Sequence, residues 1–210
     1  MVLPVKRNLY GLMMKFPEPG RVKTRLAREI GEAAAADVCR RVTETVLAAT
    51  AGSPCYGRVV FFSPKSRLKD FAAWMPREEL VPQRGSGLGG IMANCLGELF
   101  RRGADKAVIT GSDIPALDRR IIEDAFLTLD GTDLVLGPAR DGGYYLAGMK
   151  RPNRSIFEGI SYGGNDVFVR TTAAAEREGL SWGTVAVLDD LDTLADLERL
   201  DRWGLLRNSR

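Results

Sequence analysis

Residues 106–115 read KAVITGSDIP. Lys106 to Thr110 is a short apolar run, which predicts a strand near the middle of a sheet. It passes directly into Gly111, Ser112, Asp113 and Pro115, a small polar segment at the carboxyl end of that strand. Open α/β sheets hold their ligands at such positions. Upstream, NLYGLMMKF (8–16) and RVVFF (58–62) predict two earlier strands. Downstream, DLVLG (133–137), YYLAG (144–148) and WGTVAVL (182–188) predict three more. Helical patterns lie between them over 22–50 with a break at Gly31, then 68–75, 91–102, 117–129 and 165–179, and a last one starting near Thr193. Residues 82–90 (PQRGSGLGG) are expected to form a flexible, glycine-rich loop, either a mobile cover over a site or a plain surface linker. Strands and helices alternate every 20–30 residues. This spacing predicts a layered α/β domain with a largely parallel sheet. The 210 residues suit a single domain over 1–210, with a frayed tail from Arg202.

Composition narrows the chemistry. The chain contains no histidine, which removes Ser-His-Asp and Cys-His mechanisms and histidine-ligated metals. Any metal must rest mainly on oxygen ligands, which favours magnesium, manganese or calcium. Cys39, Cys55 and Cys95 are widely spaced and read as buried free thiols. No apolar run is long enough to span a membrane, and the N-terminus does not read as a cleavable signal, so a cytoplasmic location is expected. Net charge is +3, but residues 1–28 hold seven Lys or Arg against one acid, Glu18. A basic cluster there points to an anionic ligand. Nucleic acid is disfavoured, since no basic run interleaves with aromatics.

Four segments carry candidate sites. PGRVKTR (19–25) follows the first strand. Pro19 and Gly20 make a tight turn, and Arg21, Lys23 and Arg25 with Thr24 precede a helix whose free N–H groups also suit phosphate. It is neither a Walker loop nor a dinucleotide fingerprint, and a solvated basic helix start is the plain alternative. In GSDIP (111–115), Asp113 reads as a metal-binding aspartate or as a helix cap. In PARDGGYY (138–145), Gly142 and Gly143 allow close backbone approach. Asp141 suits acceptor contact or base catalysis, and Tyr144 offers a stacking face and a hydroxyl. A structural hairpin fits the same residues. In DDLDT (189–193), Asp190 and Asp192 face the same way if the segment is extended. They then share a divalent cation, or one of them caps the last helix.

KFPEPGRVKTRL (15–26), GSDIP (111–115), GPARDGGYYL (137–146) and DLDT (190–193) together resemble the small bacterial nucleotide-diphospho-sugar transferase-like proteins. These form a branch of the GT-A glycosyltransferase superfamily related to sugar-phosphate and cofactor nucleotidyltransferases. The resemblance implies a three-layer α/β/α sandwich whose mixed, mostly parallel sheet contains one antiparallel strand. It implies Mg²⁺ or Mn²⁺ on Asp113, with a further carboxylate from Asp190 or Asp192. It implies phosphates on Arg21, Lys23 and Arg25 and an acceptor side at Asp141, Gly142 and Gly143. Asp141 and Lys23 are the catalytic candidates, and Ser112 and Gly111 join the nucleotide side. Where many relatives carry Asp-x-Asp, this chain has Ser112-Asp113. In the glycine-rich loop, Gly87 stands where an acid is common.

Three functions follow as expectations. The first is metal-dependent glycosyl transfer from a nucleotide-diphospho-sugar. The second is nucleotidyl transfer from a nucleoside triphosphate to a small phosphorylated acceptor, releasing pyrophosphate. The third is nucleotide or phosphate binding without turnover. The first two need charge neutralisation and positioning more than a special nucleophile.

Overall fold

The structure is a computed structural model and describes residues 7–200. Its strands are β1 (Asn8–Lys15), β2 (Gly57–Ser63), β3 (Leu80–Pro82), β4 (Lys106–Gly111), β5 (Leu134–Pro138), β6 (Tyr144–Met149) and β7 (Trp182–Thr184). Its helices are α1 (Thr24–Ile30), α2 (Glu32–Ala49), α3 (Leu68–Trp74), α4 (Gly87–Arg101), α5 (Arg119–Gly131), α6 (Val167–Arg177) and α7 (Leu194–Arg199). The strands form one sheet in the order β3-β2-β1-β4-β6-β5-β7. β4 is central, as its apolar sequence predicts. β6 runs antiparallel to both β4 and β5, whereas the other pairings are parallel. This is the mixed, mostly parallel GT-A-type architecture expected.

Side-chain alternation along the strands builds the three layers. Tyr10, Leu12 and Met14 of β1 face a cluster with Phe71, Ile122 and Phe126 from α3 and α5. Leu9 faces the opposite cluster, with Leu96 and Leu99 of α4 and Ala175 of α6. Burying a leucine such as Leu99 contributes about 1.5–3 kcal/mol. Gly11 leaves room between strands, because a Cβ there would lie 2.7 Å from the Phe61 ring. A third cluster joins Leu26 of α1, Val38 and Val42 of α2, Leu191 and Leu197. It fastens the segment before α7 to the helices that follow β1.

Several boundaries differ from the sequence reading. β3 is too short to show as a pattern, and it exists because it pairs with β2 from Val60 to Phe62. Half of the expected glycine-rich loop is helix, since α4 starts at Gly87. Gly89 lets α4 pack closely, because a Cβ there would lie 2.6 Å from the Phe157 carbonyl. The last strand stops at Thr184, where its regular pairing with β5 ends. α6 begins at Val167 rather than Asn165. Cys95 is buried, but Cys39 is half-buried and Cys55 exposed, all three as free thiols. The tail from Arg202 lies outside the described residues.

Candidate active site

The carboxyl ends of β1 and β4, the β5–β6 turn and the 189–192 segment surround a cleft of about 540 Å³. Lys23 stands at its charged end. This residue precedes α1 with φ 47° and ψ 45°, left-handed values that a non-glycine residue seldom adopts. The turn delivers its side chain inward, where only 6% of it is exposed. Nζ donates to Asp113 Oδ2 at 3.2 Å and to Asp192 Oδ1 at 2.9 Å.

The two aspartates reach Lys23 from different elements. Asp113 lies just past β4. Capping of α5 falls to Asp118, whose carboxylate accepts from the Ile121 N–H at 3.1 Å, so Asp113 remains available to the cleft. Likewise Thr193 and Asp196 form a capping box at α7, which leaves Asp190 and Asp192 uncommitted to the helix. Between these two, Leu191 is fully buried, and its N–H donates to the Asp113 carbonyl at 3.1 Å. That anchor turns Asp190 and Asp192 together toward Asp113.

The electrostatics follow from this crowding. Burial pushes the Asp113 carboxyl up, but the Lys23 charge and hydrogen bond outweigh it and hold the group below its usual range. Burial lowers the tendency of Lys23 to carry charge, yet Asp113 and Asp192 more than reverse this, and the ammonium holds its proton well above the usual range. Among the described residues, Asp190 has no such cationic partner. Burial, then the charges of Asp192, Asp113 and Asp141, raise its pKa to about 6. Its ionised form therefore opposes folding fully above pH 6, and this opposition fades as the native state takes up a proton between pH 6 and about 4. Asp190→Asn is expected to stabilise the metal-free protein by about 1 kcal/mol at pH 8, after screening by solvent. That amounts to about 2–4 °C in Tm, with the difference vanishing near pH 4. A melting-temperature series over pH checks it, and a difference that grows on acidification would contradict it.

Of the residues singled out in the sequence, Arg21, Lys23, Thr24, Gly111, Ser112, Asp113, Asp141, Gly143, Tyr144, Asp190 and Asp192 line the cleft, while Pro19, Gly20, Arg25, Gly87 and Gly142 do not. Gly20 and Gly87 have positive φ and shape turns. Asp141 is exposed at the β5–β6 turn, and its Oδ1 accepts from the Gly143 N–H at 2.9 Å. The hairpin reading of this motif is therefore the one observed, and the turn borders the cleft. Gln83, from the loop expected over a site, also lines the cleft, as do Lys15, Tyr162 and Met92, for which the sequence suggested no individual role. Lys15 was within reach of sequence reasoning, because it ends β1 at the ligand side of the sheet. Tyr162 meets Tyr144 through their hydroxyls at 3.4 Å, a contact between distant segments that no local pattern announces.

For a hard cation the cleft offers the carboxylates of Asp113, Asp190 and Asp192. Among the described residues, no three His, Cys, Asp or Glu side chains are gathered closely enough to hold a metal ion. The Lys23 ammonium stands between two of the three candidate carboxylates.

Residues 46–164 match a family described as uncharacterized proteins conserved in bacteria, DUF2064. The chain belongs to the DUF2064 family. A structure from Desulfovibrio desulfuricans G20, assigned provisionally as a nucleotide-diphospho-sugar transferase, is 31% identical to this DUF2064 chain. It matches over 97% of the chain and 95% of its own length, with a TM-score of 0.91. The 2-phospho-L-lactate guanylyltransferase of Methanocaldococcus fervens is 26% identical over 144 residues. That match covers 66% of this chain and 62% of the enzyme. The 4-diphosphocytidyl-2C-methyl-D-erythritol synthase of Anaerococcus prevotii DSM 20548 shares the fold, with a TM-score of 0.62 at 10% identity over 94% of this chain and 96% of that one. These likenesses support an enzymatic, nucleotide-handling activity for this DUF2064 member. No helix among the described residues is long and apolar enough to cross a membrane.

Proposed function

We propose that this chain, acting as one domain over 1–210, is a metal-dependent nucleotidyltransferase. It joins a nucleoside triphosphate to a small phosphorylated acceptor and releases pyrophosphate. The observation that carries the reading is Lys23, held between Asp113 and Asp192 at the end of the central strand. The partial match to a guanylyltransferase supports the reaction type.

The donor set fits a hard divalent ion. Asp113, Asp190 and Asp192 supply only carboxylate oxygens, and the raised pKa of Asp190 marks a place that lacks positive charge. Mg²⁺ or Mn²⁺ held there would neutralise phosphate charge and polarise the reacting phosphoryl group. Lys23, Arg21 and Lys15 neutralise the remaining phosphate oxygens from the β1 side. An acceptor oxyanion attacks the α-phosphorus, the bond to the bridging oxygen breaks, and pyrophosphate leaves with that electron pair. Such an acceptor arrives deprotonated, so no histidine base is needed. Gly143 and Tyr144 border the acceptor, while Asp141, committed to the Gly143 N–H, shapes the turn.

Thermal shift and pyrophosphate release over a panel of triphosphates and phosphorylated acceptors, with and without Mn²⁺, test this reading. Metal-dependent stabilisation by a triphosphate is expected, and Asp113→Asn is expected to abolish the metal-dependent part and lower turnover at least a hundredfold. Glycosyl transfer is the second reading, favoured by the likeness to the Desulfovibrio protein. Stabilisation by a nucleotide sugar, with no pyrophosphate released from any triphosphate, would replace the first reading with it.

A further inference from the structure

Gln83 follows β3, and its backbone N–H extends the β2–β3 ladder by donating to the Phe62 carbonyl at 2.9 Å. Its side chain then crosses two strand ends. Nε2 donates to the Phe61 carbonyl at 2.8 Å and to the Met14 carbonyl at 3.2 Å. Both partners are backbone acceptors, so the amide has a single allowed orientation, with NH₂ toward them and oxygen away. Both N–H groups are used. Oε1 has no hydrogen-bond partner among the described residues, and it is not one of their buried unpaired atoms. Gln83 lines the cleft, so the fold holds a carbonyl acceptor there in a fixed direction without using it internally.

Its surroundings suit a flat ring. Met13, Leu88 and Met92 line the same cleft and offer an apolar wall. The β1–β3 side that carries Gln83 lies across the central strand from the β5–β6 turn proposed for the acceptor. A rigid acceptor beside an apolar wall is complementary to a planar ring with an N–H donor on its edge. It repels a ring that presents a carbonyl oxygen at the same point.

We propose that Gln83 selects the nucleobase by accepting a hydrogen bond from its exocyclic amino group. The cleft then takes guanosine, adenosine or cytidine triphosphate in preference to the amino-lacking inosine and uridine triphosphates. This rests on the reading of the cleft as a nucleoside triphosphate site, and names the class of base within it. Preorganisation makes the preference steep: losing the amino group leaves the fixed oxygen unpaired against the ring.

Dissociation constants measured calorimetrically with Mg²⁺ test the proposal for three pairs: GTP with ITP, ATP with ITP, and CTP with UTP. In at least one pair the amino-bearing nucleotide is expected to bind about tenfold to a hundredfold more tightly. In Gln83→Leu that ratio is expected to collapse to within about threefold. A variant that only loosened the strand ends would weaken both members alike and keep the ratio, which would overturn the assignment. Gln83→Met serves if the leucine variant does not fold, and the wild-type ratios need no variant. Equal binding within every pair overturns the role of Gln83 but leaves the nucleotide site standing. Absence of binding by all five triphosphates overturns the nucleotide site, and Gln83 selection with it.

Discussion

In Lys23→Met, kcat/KM for pyrophosphate release is expected to fall about a hundredfold to a thousandfold. The expectation rests on what the fold gives up to place this ammonium. The left-handed backbone at φ 47° costs about 1 kcal/mol in a residue with a Cβ. The charge lies almost out of water, at 6% exposure. A solvated surface lysine needs neither. Methionine keeps most of the apolar stem and removes the charge with its hydrogen bonds to Asp113 and Asp192. Lys23→Arg is expected to recover little, since a planar fork cannot replace a compact ammonium between two carboxylates on different loops. The same substitution leaves Asp113 and Asp192 without their shared counter-charge. The metal-free variant should therefore melt lower than wild type above pH 6 and regain stability with Mg²⁺. Turnover within about fivefold of wild type would reduce Lys23 to a structural ion pair and remove the main support for the proposed reaction.

Gly142→Ala is expected to destabilise the protein by about 3 kcal/mol, through backbone strain and overpacking together. For a chain of this size that lowers Tm by about 6–12 °C. Gly142 has φ 89°, and an added Cβ would stand 1.9 Å from the Asn165 carbonyl oxygen. The turn cannot retreat easily, because the Phe168 N–H donates to the Gly142 carbonyl at 2.9 Å. The contact joins the β5–β6 turn to the segment before α6, which includes Tyr162. The acceptor KM should rise along with the loss of stability. Gly143→Ala makes the control: its Cβ would approach only the mobile end of the Asp141 side chain, at 3.1 Å. Differential scanning calorimetry of the two variants decides the matter, and equal melting temperatures would show that the 142–165 contact yields freely.

Much of the fold was legible because it depends on local pattern. The runs at 8–16 and 106–110 are apolar enough to bury on both faces of a sheet, and Gly31 separates two helices as its position suggests, at φ 87°. The reading failed where pairing or packing overrides propensity. β3 takes its structure from β2, and α4 starts among glycines because α4 lies against Phe157 and Tyr162. The site was partly legible for a related reason. Strand ends and charged motifs are visible in a sequence, but the direction of each side chain is not. Asp113 is a plausible cap on paper, and only the geometry at Ile121 assigns the cap to Asp118. Gln83 falls in the loop expected over a site, but its own role gave no signal, because its orientation depends on carbonyls at the ends of two other strands.

By itself the sequence determined an alternating α/β chain with a central strand ending at Gly111-Ser112-Asp113. It also limited proton-transfer chemistry to amine, carboxylate, hydroxyl and thiol groups, since no histidine is present. Tertiary structure alone decided which acids meet. Lys23 lies 90 positions from Asp113 and 169 from Asp192. They come together because β1 and β4 are adjacent parallel strands, and because buried Leu191 fastens the 189–192 segment to α1 and α2. Packing of that kind is a property of the whole core, and no stretch of the chain encodes it alone.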